Sequence, residues 1–394
     1  MDGTETQSPP RPKLPTLDTL SESQIEAIRS IRSHEEAAPK AIEASRPASI
    51  FTDEARFALE QRSLFRRLPV PVTLSSRLPG PGWVVALDGY GLPLVVTRDR
   101  DGRAHAFLNA CQHKGSKVVE VCGPHRASRL ICPYHAWTYG LDGTLLTVPR
   151  QETFTNLDKS TRGLAELPCR ESGGMIWAQL DRHRAPDFST LSDQLETDFD
   201  SMGIPNAHIH GHKRFELKAN WKLVLEPFLE GYHVQRLHSQ SIGDLFADVP
   251  NVHDRFGLHT RQISGKMNYT PELLDGEIKN IHSVVTHAYL AFPSTVVVTS
   301  PYYISVMIIM PTGVRTSTVD YYMLVPSAPD NPKAEDLYAR SYELILKVFG
   351  TEDFRAAEIS QAGLDSGALD TVLYGGLEEA IPDYYENLEA QLHQ

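Results

Sequence analysis

Cys111 and His113, answered by Cys132 and His135, place two sulfur and two imidazole donors in two short loops of a 394-residue chain. Thiolate and imidazole together select transition metals. A structural zinc site usually spaces Cys with Cys and His with His. Here the order is Cys, His, Cys, His, with one residue inside the first pair and two inside the second. The same donors could instead be divided between two sulfide-bridged irons, thiolates on one and imidazoles on the other. Further along, His233 and His238 stand five apart, with Glu230 three residues before the first. Five residues of regular helix turn through about 500°, which leaves the two imidazoles some 140° apart. They share a metal only if the helix ends or bulges between them.

These donors need two different supports. Residues 66–186 alternate short apolar runs with Gly, Pro and Asp, and Asp88-Gly89, Asp101-Gly102 and Asp142-Gly143 read as hairpin turns. A small antiparallel β domain with the Cys/His loops at hairpin tips is the economical arrangement. A second unit, residues 187–394, mixes helices with the β-branched and aromatic runs of 283–325, which predict an antiparallel sheet flanked by helices. The fold class expected is therefore α+β. In FELKANWKLVLEPFLEGYHVQRLHS, Trp221, Leu225, Phe228 and Tyr232 predict one buried helical stripe, kinked at Pro227. AEDLYARSYELILKVFG predicts a helix closed by Gly350, and Thr351 is placed to cap another, which ends at Gly363. Residues 49–65 read as an amphipathic lead-in helix packing on the second unit. Residues 1–48 read as a mobile tail in which Ser21 to Glu36 could form a helix, with Ser23 and Glu26 suited to its start.

CQHKG and CPYHAWTYGLDG resemble the two cluster loops of the Rieske oxygenases, the non-haem iron ring-hydroxylating and demethylating enzymes. They depart from the commonest pattern at Lys114, where Arg is more usual, and at Ala136, where Gly is more usual. NWKLVLEPFLEGYHVQRLH resembles the family segment in which Asn-Trp-Lys opens a helix and an acid precedes the first of two ligand histidines. The resemblance implies one Rieske 2Fe-2S cluster on Cys111, His113, Cys132 and His135, and one mononuclear Fe(II) on His233, His238 and a late carboxylate. Asp353 in EDFRAAEISQ matches that carboxylate, with Glu352 as the alternative; acids in a first helical turn are also favoured by the helix dipole without any metal. Glu230 matches the acid that carries electrons between subunits, bridging a ligand His of its own chain and His135 of the partner subunit, which implies at least a homotrimer. O2 would be the co-substrate. No nicotinamide or flavin motif is evident, so electrons are expected from a separate NAD(P)H-dependent reductase, directly or through a ferredoxin.

The expected activity is that of a terminal oxygenase which hydroxylates or oxidatively dealkylates a small, mainly apolar or aromatic compound. Glu230, where many ring hydroxylases carry Asp, also suits a betaine- or carnitine-type quaternary-amine monooxygenase. A Rieske-type electron carrier without catalytic iron is the alternative from another class. YYISVMIIM and HAYLAFP suggest apolar and aromatic walls, although core packing explains the same letters. Arg255, Arg261 and Lys266 could anchor an acidic substrate, or be ordinary solvated charges. A net charge of −12 argues against nucleic acid. The absence of a long apolar run or leader suggests a cytoplasmic protein not bound to membrane. Cys122 and Cys169 lie outside the paired pattern and read as ordinary thiols.

Overall fold

The structure is a computed structural model and describes residues 14–121 and 123–393, so Cys122 lies outside the described residues. Of the expected tail, residues 1–13 lie outside the described residues, and 14–31 is not a free tail but carries buried residues packed against the body of the protein, while 35–43 is mostly exposed. Helix α1, Glu22–Arg29, falls within the expected 21–36 span but is shorter, and its cap is Ser21 rather than Ser23: the Ser21 hydroxyl accepts from the Gln24 amide and the Gln24 side chain accepts from the Ser21 amide. Gln24 also bonds the Tyr289 hydroxyl at 2.8 Å, and Ile28 and Ile31 pack against Ile263, Tyr269 and Val285. A strand over Ala44–Pro47 then pairs with Thr371–Tyr374, so the N-terminal segment is strapped to the far end of the chain.

The lead-in segment forms α2, Glu54–Glu60, capped by Asp53, and continues as a wider turn over Gln61–Arg66. Glu60 is fully buried. It accepts bonds from Lys222 Nζ, 2.8 Å to each oxygen, and from Trp221 Nε1 at 3.0 Å. Arg56 joins the same carboxylate at 2.9 Å and reaches Glu389 near the C-terminus. The Asn-Trp-Lys run is thereby clamped from two sides.

The cluster unit is built on a five-stranded antiparallel sheet, with Leu92–Arg98 between Trp83–Gly89 and Ala104–Leu108. A three-stranded ribbon over Leu130–Ile131, Thr138–Tyr139 and Leu145–Thr147 carries the second Cys/His loop. Gly143 sits at φ +81 in its last turn, where a Cβ would meet Phe107 at 2.4 Å, so the Asp-Gly turn is needed for contact as well as conformation.

The catalytic unit is a seven-stranded antiparallel sheet running from His208–Leu217 at one edge to Val252–Phe256 at the other. Its centre, Val306–Met310 and Val319–Val325, is at most 1% exposed among its apolar residues and forms the core floor. After α3, Asp193–Ser201, the residues Phe215, Glu216 and Leu217 end an edge strand, and the helix opens at the Asn-Trp-Lys run as expected. The helix α4 covers only Trp221–Leu225, with Asn220 as its cap. Pro227 lies in a 3-10 turn over Glu226–Leu229, and Glu230 is fully extended (φ −152, ψ 167). The single-turn α5, Val234–Leu237, follows. Tyr232 is 45% exposed and carries the Arg236 guanidinium at 4.3 Å, so it is not part of a buried stripe. The break at Pro227 releases it from the helical period.

Gly350 does not close a helix either. Helix α6, Pro332–Val348, runs through a wider turn over Phe349–Asp353 into α7, Phe354–Asp365, and the Thr351 hydroxyl donates back to the Lys347 carbonyl instead of capping. The second helix ends past Gly363, with Gly367 at φ +70 beyond it. Helix α8, Ala380–Leu392, packs Tyr384, Tyr385 and Leu388 into the main core. Among the described residues, no helix is long and apolar enough to cross a membrane.

Candidate active site

His233 and His238 flank α5: the first is its N-terminal cap position and the second its C-terminal one. One turn of helix, broken on both sides, meets the condition under which a spacing of five can converge. The rings lie 5.1 Å apart, centroid to centroid, and Asp353 Oδ1 sits 3.5 Å from His233 Nε2 and 3.3 Å from His238 Nε2. One donor atom from each of the three residues falls within 4.8 Å of the others. Asp353 is 3% exposed and its Oδ1 meets no hydrogen bond, an acceptor buried without a donor. A cation at this point would satisfy it, and two imidazoles with one carboxylate are the donor set of a facial triad.

The far nitrogens are held as well. His233 Nδ1 lies 2.6 Å from Glu230 Oε1, and the other oxygen of Glu230 accepts from the His233 amide at 3.0 Å. His238 Nδ1 lies 2.6 Å from Glu352 Oε2, which also accepts from the Ser241 hydroxyl at 2.7 Å. Each carboxylate fixes the tautomer that leaves Nε2 as the free donor. Burial disfavours the His238 imidazolium, but the adjacent carboxylates of Asp353 and Glu352 outweigh it and raise the pKa. The widened turn at Phe349–Asp353 is what allows adjacent acids to serve opposite nitrogens of one ring. Glu352, the alternative ligand in sequence terms, thus stands as the orienting group and Asp353 as the facing one. Nothing in the spacing of two adjacent acids distinguishes these roles.

In the other unit, Cys111 and Cys132 are buried, while His135 reaches the surface. The loops are tight: the Gly115 amide donates to the Cys111 carbonyl at 2.8 Å, and the Ala136 amide to that of Cys132 at 3.0 Å. His113 stacks on Trp137, centroids 5.0 Å apart and planes 6° apart, and the Nδ1 atoms of His113 and His135 are 3.1 Å from each other. The Tyr139 hydroxyl sits 3.2 Å from Cys111 Sγ. The two imidazole Nδ1 atoms thus stand side by side, the grouping by donor type that a centre divided between two irons would use. Cys169 donates to the Ala104 carbonyl at 3.4 Å, and burial pushes its thiol up to about 11, an inert position.

The triad opens onto a cavity of ≈ 580 Å³. Its walls come from the sheet, from α6 and, unexpectedly, from Ile31, His34 and Ala37 of the N-terminal segment. The sequence signal for that wall is the capping box at Ser21 and Gln24 with Ile28 and Ile31 a helical turn apart, which a helix start at Ser23 overlooks.

Residues 69–167 match the Rieske [2Fe-2S] domain, and residues 204–394 match the ring hydroxylating alpha subunit (catalytic domain). The chain belongs to the Rieske oxygenase alpha subunits. Among relatives, it is 31% identical to the glycine betaine monooxygenase oxygenase subunit of Chromohalobacter salexigens, over 51% of this chain and 44% of that protein. The chain therefore spans about half the length of the first curated relatives it matches. Identity to the carnitine monooxygenase oxygenase subunit of Escherichia coli K12 is 27%, over 81% of this chain and 84% of that protein. A solved quaternary ammonium Rieske monooxygenase, described with carnitine oxidation and inter-subunit electron transfer, superposes with TM-score 0.75 over 92% of this chain and 98% of that one; at 22% identity it shows the shared fold.

Proposed function

We propose that this Rieske alpha subunit is the terminal oxygenase of a multicomponent monooxygenase acting on a small methylated amine, with electrons from a separate NAD(P)H-dependent reductase, directly or through a ferredoxin. The observation that carries it is the convergence of His233, His238 and Asp353 on the ≈ 580 Å³ cavity, with Cys111, His113, Cys132 and His135 displayed on a different unit. The bound cluster and iron would supply single electrons and activation of O2. The chain's own residues hold the donors and shape the cavity. Relatives named for glycine betaine and carnitine support the amine class. The lining is compatible with it, because Phe228, Tyr302 and Tyr303 place aromatic rings in the wall, the kind of side chain that receives a cation. Those rings equally suit an aromatic compound, which is the second reading.

Glu230 is assigned the inter-subunit role. It grips His233 through both oxygens, and the opposing group would be His135 of the partner subunit within a homotrimer. Val121, Ile131, Tyr134 and Leu146 of the cluster unit are 47–65% exposed, apolar area that a neighbouring subunit would cover. A carrier lacking catalytic iron has no use for a buried two-His, one-Asp convergence. The test is oxygen uptake with reductase present, comparing methylated amines, aromatic acids and aromatic hydrocarbons. Product from the amines alone supports the reading, and product from the hydrocarbons alone defeats it.

A further inference from the structure

Arg255, Arg261 and Lys266, the basic residues the sequence offers to an acidic ligand, have separate fates in the fold. Arg261 is locked behind the sheet by Asp198 at 2.8 Å and Asp254 at 2.6 Å, and Arg255 bonds Asn387 at the surface. Lys266 is different. It continues the strand His259–Gly265, whose alternation turns Arg261 and Ile263 towards α1 and sends Gln262, Ser264 and Lys266 to the cavity. It is only 7% exposed.

An ammonium carries three donors. Among the described residues, Lys266 Nζ has one hydrogen-bond partner, the His282 carbonyl at 2.8 Å, and forms no ion pair with a carboxylate. The position is fixed by structure around it. The Lys266 amide donates to the Val284 carbonyl at 2.8 Å, and the residue bridges to Phe246. The turn that presents His282 is capped by Asn280, which bonds the Pro301 carbonyl at 2.6 Å beside the cavity residue Tyr302. Burial alone lowers the pKa of Lys266 to about 8, the mark of a cation without a counter-charge. A lone buried ammonium is costly unless something negative meets it, and Lys266 is part of the cavity wall.

We infer that Lys266 is the anion anchor of this cavity, so that the substrate bears a carboxylate at one end and offers its oxidisable carbon to the His233–His238–Asp353 corner with the other. This rests on the cavity being the oxygenase's substrate site, and it narrows the methylated-amine reading to zwitterions. If Lys266 only pegged the His282 carbonyl, its loss would lower stability without discriminating between ligands.

The test is calorimetric binding to the metal-loaded protein with four probes: glycine betaine and L-carnitine, which carry both charges; choline, which lacks the carboxylate; and benzoate, which lacks the cation. Wild type is expected to bind at least one of the zwitterions more tightly than choline. Lys266→Met should weaken that binding about ten- to hundred-fold, the worth of a hydrogen bond to a charged group. Lys266→Arg should keep most of it, and choline should be indifferent to either change. Circular dichroism and the visible cluster spectrum show whether each variant is folded, and the wild-type preference for zwitterion over choline reads the inference even if Lys266→Met is not. Failure of every carboxylate probe to bind, or equal binding to wild type and a folded Lys266→Met, overturns the anchor. Lys266-dependent benzoate binding without either zwitterion keeps the anchor and defeats the amine reading. Choline bound as tightly as the zwitterions does the reverse.

Discussion

At the triad, two neighbouring acids take different parts, Asp353 facing the space between the imidazoles while Glu352 grips the back of His238. Asp353→Ala should empty the mononuclear site and leave the cluster's visible absorption intact, because the two donor sets lie in different units; equal loss of both would contradict this. Glu352→Gln should retain iron more weakly, by about 10- to 100-fold in affinity, as expected when the group orienting a ligand histidine is lost. Iron titration under anaerobic conditions reads it, and unchanged affinity would remove Glu352 from that role. In the cluster loop, Ala136 adopts φ +55, which accounts for the glycine usual in the resembling sequences. Ala136→Gly should raise stability by roughly 0.5–1 kcal/mol by relieving a left-handed alanine, and urea denaturation showing a loss would mean the methyl packs usefully. That His233, His238 and Asp353 would meet was legible because donor chemistry restricts the choice to few residue types. The division of labour between Glu352 and Asp353 was not, since it depends on a widened turn that leaves no mark in composition.

Helical periodicity failed where the catalytic segment is most specialised. Trp221, Leu225, Phe228 and Tyr232 hold a helical spacing, yet the chain makes a short helix, a 3-10 turn, an extended Glu230 and one further turn. Pro227 marks the break, and the break is what lets His233 and His238 converge. The sheet strands of 285–325 were plain because β-branched runs between prolines admit few alternatives. At this scale α2 and α4 are joined by a buried clamp: Glu60 and Lys222 are both fully buried, with Arg56 and the Trp221 indole completing the site. Glu60→Gln leaves the Lys222 ammonium uncompensated and should cost about 3–5 kcal/mol, as for other buried pairs broken on one side. A loss under about 1 kcal/mol in denaturant titration would show that water reaches the site.

Taken whole, the molecule closes its catalytic cavity with residues from its own N-terminal segment. Low apolar content hid this in the sequence, because Ile28 and Ile31 have little meaning until the strand carrying Ile263 is beside them. Removing residues 1–40 should leave the cluster spectrum unchanged and weaken binding in the cavity, since Ile31, His34 and Ala37 form part of its wall. Unaltered binding would mean the wall is dispensable. Glu230→Gln should keep both metals and slow single-turnover electron transfer between them, while an unchanged rate would take Glu230 off the path. All of this presumes that one chain holds both centres. The direct measurement is the ratio of iron to acid-labile sulfide in anaerobically prepared protein: about three irons to two sulfides per chain, falling to two and two in Asp353→Ala, is the result expected. Wild type with two irons to two sulfides, or with no sulfide, would contradict it.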